Sequence, residues 1–177
     1  MMDFYTEQII KKKKGVVEWL IMIATLLGAI AILYIGLIVQ SMFLLLLLGV
    51  GFAMWYIVSS QNVEFEYCVT NGDIDIDKIV GQRKRTRIVS VKGKKVQTIA
   101  PFTPDALAGV KVDRFVMAAP TPTAQGNWYF TYTSKKSGFT AVVFQPNEKV
   151  LRYIHRGLPR LAQIEMEKAG YQPTKEH

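Results

Sequence analysis

Four basic residues within five positions, Arg83, Lys84, Arg85 and Arg87, are the one feature of this sequence that supports a sharp chemical hypothesis. Such side chains bind phosphate and carboxylate, the guanidinium through a planar fork of donors and the ammonium as a compact charge. Beside an anionic lipid leaflet each contributes roughly 1 kcal/mol, an effect that falls off within ~8–10 Å. The same charges on a solvated strand edge protect it from pairing with another chain, and the sequence leaves both roles open. A second run, Lys11, Lys12, Lys13 and Lys14, stands directly before a long apolar stretch. Nucleic acid is not the expected partner of either run, because aromatic residues do not interleave with the cluster.

The remaining candidates for chemistry are sparse. Asp73, Asp75 and Asp77 alternate with isoleucine, which spreads their carboxylates along one strand face and lacks the glycine and terminal glutamate of a calcium loop. One cysteine, Cys68, and two histidines provide no zinc-like spacing, and Cys68 alone excludes an internal disulfide. His155 falls between Ile154 and Arg156 on an amphipathic stretch and reads as a surface or boundary residue, while His177 is terminal. Gly49-Val50-Gly51 lies inside an apolar span, so it is no phosphate loop. The expectation is a protein that is not an enzyme and carries no metal and no cofactor.

The elements that must position the basic residues begin with Val16–Ser60, whose single charge is Glu18. A straight helix over these positions would be roughly 67 Å long, against ~30 Å of bilayer hydrocarbon, so two spans fit and one does not. The break belongs at Gln40-Ser41, giving helices over Val16–Val39 and Met42–Val58. Ala24 with Gly28, and Gly49 with Ala53, have the four-residue spacing at which small residues let helices approach, either within the hairpin or against another membrane subunit. Trp19, Trp55 and Tyr56 belong near the interface. The lysine run holds the N-terminus in the cytoplasm, and an even number of crossings returns the rest of the chain there. A cleaved signal peptide fits less well, because a second apolar span follows the first directly.

Residues 61–177 carry +7 of the formal net charge of +8. From Glu64 the apolar period becomes that of strands, and Asn71-Gly72 marks a tight hairpin. Further strands are expected over about Gln82–Val91, Val96–Phe102, Val112–Ala118, Trp128–Thr133 and Phe139–Gln145. A helix then starts at Asn147 as N-cap, with Val150, Leu151, Ile154, Leu158 and Leu161 along one stripe and a kink or stop at Pro159. The boundaries are 1–15 for a basic cytoplasmic segment (an interfacial helix or a solvated tail), 16–60 for the membrane hairpin, 61–170 for a cytoplasmic domain and 171–177 for a tail.

This order of elements resembles pleckstrin-homology-like domains, which implies a seven-stranded antiparallel open barrel closed by a C-terminal helix. The segment Val69 to Ile79, with Arg83-Lys84-Arg85 and the helix start Asn147 to Leu151, is similar to an uncharacterised family of small Gram-positive (Firmicutes) membrane proteins. Phosphoinositide-binding members carry a long basic loop between strands one and two. Here that loop is the Asn71-Gly72 turn, which argues against specific inositol-lipid binding. The fold class expected is therefore a membrane α-helical hairpin plus an α+β soluble domain. The function expected is a non-enzymatic interaction module of the cell membrane, with the bilayer and a protein partner or second copy as its partners. A sensor of anionic lipid through the basic strand is the alternative.

Overall fold

The computed structural model describes residues 4–38 and 43–173. They fall into two compact units. One contains Lys13–Val63 and Val80–Lys84, and the other takes the chain up to Lys12, Glu64–Ile79 and everything from Arg85 onward.

The first unit is built on helices α1 (Val16–Ile38) and α2 (Phe43–Ser60). At 1.5 Å per residue they are roughly 34 and 27 Å long, and both are long and apolar enough to cross a membrane. Neither is buried in the way the core helix of a soluble protein is. No residue of α2 is buried, α1 buries only Ala29 and Gly36, and side chains such as Ile38 and Leu45 are 73% and 72% exposed. The helices meet at Gly36, where an added Cβ would stand 3.0 Å from Leu46 Cδ1. The backbone N–H of Gly15 donates to Glu18 Oε2 at 2.9 Å, which satisfies a donor and sets a negative charge at the positive end of α1. The expected turn at Gln40-Ser41 lies outside the described residues.

The second unit has two sheets of four strands rather than a seven-stranded barrel. The first sheet has the order β1 (Tyr5–Lys11), β2 (Val63–Thr70), β3 (Asp73–Val80), β4 (Lys84–Val91). Residues 5–11 are thus a strand, not the interfacial helix or solvated tail expected of the N-terminal segment. β1 runs antiparallel to β2 in unbroken register from Tyr5↔Thr70 to Lys11↔Glu64. Both helices are therefore inserted between two paired strands, and the connection from first to second strand is that whole helical segment, not the Asn71-Gly72 turn. Asn71 and Gly72 join β2 to β3 with φ of 51° and 86°, the positive values a two-residue hairpin turn demands.

The second sheet contains β5 (Val96–Pro101), β6 (Arg114–Met117), β7 (Trp128–Ser134) and β8 (Gly138–Phe144), ordered β5-β7-β8-β6. β6 lies parallel to β8, so the expected all-antiparallel arrangement is also corrected. Being parallel, β6 cannot be reached through a tight hairpin, and the chain uses long connections on both sides of it. Rings from both sheets meet in the core: Tyr67 and Phe130 pack edge-on against Phe144, with centroids 5.7 and 5.3 Å away. The Tyr67 hydroxyl donates to the Ala118 carbonyl and accepts from the Gln145 N–H at 3.2 Å, joining the sheets by a buried polar link. Burial pushes the Tyr67 phenol up to about 12, so it remains a donor throughout the physiological range.

Helices α3 (Glu148–Gly157) and α4 (Arg160–Lys168) follow. Asn147 caps α3 as expected, its Oδ1 accepting from the Val150 N–H at 2.8 Å. Val150, Leu151, Ile154 and Leu158 are buried, but Leu161 is 78% exposed. Pro159 separates the helices, and α4 turns Ala162 and Met166 inward instead. Tyr171, expected in a solvated tail, is buried against Trp128 and His155.

One end of this unit is closed by three glycine backbones. Gly72 of the β2–β3 turn, Gly93 of a 3-10 turn (Gly93–Lys95) and Gly157 at the end of α3 touch one another. A Cβ on Gly157 would overlap Gly72 Cα, and one on Gly93 would stand 2.8 Å from the Gly157 carbonyl oxygen. Gly157→Ala should therefore cost about 3 kcal/mol, the upper end for forcing a methyl into a packed site. Thermal unfolding in detergent checks this: the midpoint falls for Gly157→Ala but not for Gly51→Ala, where an added Cβ meets nothing within 4 Å.

Candidate membrane-surface site

The structure divides the basic cluster. In the helical unit, Trp55, Tyr56 and Ser59 stand near the end of α2, and the turn between β3 and β4 brings Arg83 to them. Gly81 and Gln82 adopt positive φ there, and the Gly81 N–H donates to the Asn62 carbonyl at 2.8 Å. The Arg83 guanidinium lies 4.9 Å from the Trp55 ring centroid and 4.8 Å from that of Tyr56, and it donates to Ser59 Oγ at 2.5 Å. A cation over an aromatic face gains about 0.5–2 kcal/mol, depending on how far water is excluded. Arg83 therefore fixes the turn to the aromatic end of α2. Lys84 is exposed beside it and, among the described residues, has no acidic partner.

Arg85 and Arg87 behave differently. Both lie in the sheet unit and are taken up by carboxylates of β2 and β3. Arg85 pairs with Glu66 and, through Nε, with Asp77 Oδ2 at 2.9 Å. Arg87 reaches Asp77 Oδ1 at 2.9 Å and Asp75 Oδ2 at 3.1 Å. Glu66 and Asp77 are only 4% and 5% exposed because the arginines lie across them. Buried carboxylates persist only when paired in this way. The Arg87 guanidinium is held in its charged form, first by the hydrogen bond to Asp77 and then by the charges of Asp75 and Asp77. In the second basic run, Lys11 faces Glu64 at 3.7 Å and Lys14 Nζ approaches Met22 Sδ at 3.9 Å. Lys12 and Lys13 follow β1 on an irregular, exposed stretch.

The β1–β2 register also assembles a group that spacing in sequence did not reveal. Ligand atoms of Glu7, Glu66 and Cys68 lie within 4.8 Å of one another. Glu7 and Cys68 are register partners, and Glu66 is two residues from Cys68 on the same face. The group is already engaged: Arg85 holds Glu66, and the Tyr5 hydroxyl donates to Glu7 Oε2 at 2.7 Å. Burial raises the Cys68 pKa most; the Tyr5 hydrogen bond lowers it, and the charges of Glu7, Asp77 and Asp75 raise it again. Hydrogen bonding to Glu7 and Cys68 keeps the Tyr5 phenol protonated. Within this internally bonded cluster the thiol is favoured over the thiolate, the opposite of what activates a cysteine nucleophile.

Ala24, Gly28, Gly49 and Ala53, the small residues at helix-packing spacing, are exposed. A Cβ added to Gly28 or Gly49 meets nothing within 4 Å, and the close approach of the helices is at Gly36 instead. His155 is bonded to Glu167 at 3.0 Å, tying α3 to α4.

With this geometry in place, comparison with known proteins shows that residues 2–163 match the family described as Bacterial PH-like domain (DUF6106). No curated protein and no solved structure matches the chain.

Two outcomes test the site. Arg85→Ala leaves Glu66 without its cation and should destabilise the sheet unit by about 1–3 kcal/mol, the cost of an unsatisfied buried acceptor beside a half-exposed arginine, whereas Arg85→Met combined with Glu66→Leu should recover most of the loss in thermal unfolding. At neutral pH, Cys68 should be alkylated by iodoacetamide more slowly than a cysteine placed at exposed Lys135. Its rate should climb as pH rises beyond the ordinary thiol range, and Glu7→Gln should speed it by removing a charge that disfavours the thiolate.

Proposed function

The chain belongs to the bacterial PH-like domain family, and from that premise we propose that it is a non-enzymatic, membrane-anchored interaction module. In this reading α1 and α2 span the cell membrane, both termini are cytoplasmic, and the sheet unit serves as an accessory or scaffold subunit of a larger membrane assembly. The finer kinship, to small Gram-positive (Firmicutes) membrane proteins with a two-helix hairpin, is part of the same proposal.

One observation carries it. Lys11 and Glu64 are register partners, so the chain leaves the first sheet and re-enters it at neighbouring points. A sheet built from both flanks of an apolar helical pair requires those flanks on one side of a bilayer, as two crossings provide. The lysines from Lys11 to Lys14 favour the cytoplasmic side. The alternative, a sensor of anionic lipid, keeps support from Arg83 and Lys84 but loses it from Arg85 and Arg87, whose charges are met by Glu66, Asp75 and Asp77.

Orientation is tested in a Cys68→Ser background. A cysteine at Ser41 should react with a membrane-impermeant thiol reagent on intact cells, and one at Lys135 only after the cells are opened; the reverse pattern overturns the orientation. Purification in mild detergent should yield the protein in a complex larger than its monomer. A strict monomer with nothing bound removes the scaffold role.

A further inference from the structure

We propose that a groove lined by Lys92, Lys95, Lys135 and Lys136 receives an extended acidic segment of a partner polypeptide. The inference rests on the reading of the sheet unit as an interaction module and names the chemistry of its partner. The four lysines come from two turns about 40 residues apart in sequence. Pairing of β5 with β7, with Val96 opposite Tyr132, brings those turns together. They line a groove of about 510 Å³ with Asp73 and Asp75 among its walls. A second groove, of about 670 Å³, shares Lys92 and Asp73 with the first and adds Lys94, so the basic surface continues around this end of the unit.

Neither acid forms an ion pair with these lysines, and the cations outnumber them four to two in the first groove. Asp75 is paired with Arg87 at 3.1 Å, and Asp73 Oδ1 accepts from the Gly93 N–H at 3.1 Å. All of the lysines named are exposed, and among the described residues none has an acidic partner. The backbone of one of the two turns is held in place. Lys92, Lys94 and Lys95 flank or follow Gly93, whose backbone is locked by Asp73 and by contact with Gly72 and Gly157.

The shape decides the ligand class. A lone phosphate is held by donors converging from one pocket, whereas here the cations come from two separate turns and continue through Lys92 and Lys94 into a second groove. A flat anionic surface does not enter a concave groove with carboxylates in its walls. A linear chain with carboxylates at successive residues matches both the spread and the sign of the charges.

The test uses the full-length protein in a neutral detergent and a fluorescent peptide of alternating aspartate and glutamate. Anisotropy should show binding that weakens with salt, while an asparagine and glutamine peptide of the same length does not bind. Replacing Lys92, Lys95, Lys135 and Lys136 together by Gln should weaken binding about tenfold or more, because several modest exposed ion pairs are lost at once. Replacing Lys12 and Lys13 by Gln should change it little. No binding, or equal loss in both variants, overturns the groove. Tighter binding of single-stranded DNA, inorganic phosphate or anionic vesicles than of the peptide overturns the ligand class. Should the fourfold Gln variant still purify with the partner of the wild-type protein, the groove is refuted while the scaffold reading stands. Loss of that partner from the folded variant supports the groove.

Discussion

Contact among the backbones of Gly72, Gly93 and Gly157 is the constraint on which the sheet unit depends. A side chain at any of the three would separate the β2–β3 turn, the 3-10 turn and the end of α3. Because they can touch, α3 is brought down onto the first sheet, and Val150, Leu151 and Ile154 reach the core. The same approach seats the N-terminal strand. Phe4 exchanges hydrogen bonds with Asn71, one residue from Gly72, and Gln8 bonds both the Gln145 carbonyl and the Asn147 N–H at the start of α3. The closure therefore serves packing and also decides which polar groups of β1 find partners.

A second constraint comes from chain order. β1 precedes the helices, yet its strand partner follows them, with Tyr5 opposite Thr70. Closing a loop that long costs entropy before the ladder returns anything, although that cost grows only slowly with length. Two helices that pack together at Gly36 reduce the span to be closed. An apolar insertion in a sheet connection is tolerated when its two ends come out side by side, and the Lys11↔Glu64 register provides this.

Much of the architecture was legible because it rests on local chemistry. The two apolar spans, the Asn71-Gly72 turn, the Asn147 cap and the break at Pro159 each follow from residue types at fixed spacing. β1 was hidden for a physical reason: its inward positions are Thr6, Gln8 and Ile10, so the alternation of apolar and polar residues that marks a strand is absent. Thr6 is buried all the same, opposite Val69, which only the tertiary pairing reveals. β6 was recognised as a strand but not as a parallel one, because direction is set by the long connections flanking it. The glycine junction is equally unreadable, since three separate glycines carry no sign that they meet.

The basic cluster shows why charge counted along a sequence does not measure charge available for binding. Arg83, Arg85 and Arg87 are alternate residues, yet their guanidinium groups meet different fates. Arg83 lies over two aromatic rings, while Arg85 and Arg87 cover Glu66 and Asp77, which burial would otherwise render costly. The alternating aspartates of β3 are thus the counterpart of the arginines of β4, and together they form an internal ladder of opposite charge across adjacent strands. Beyond that ladder, Lys92, Lys94, Lys95, Lys135 and Lys136 in the turns are exposed and have no acidic partner among the described residues. The strand carboxylates that share their groove, Asp73 and Asp75, are bonded to the Gly93 N–H and to Arg87 instead.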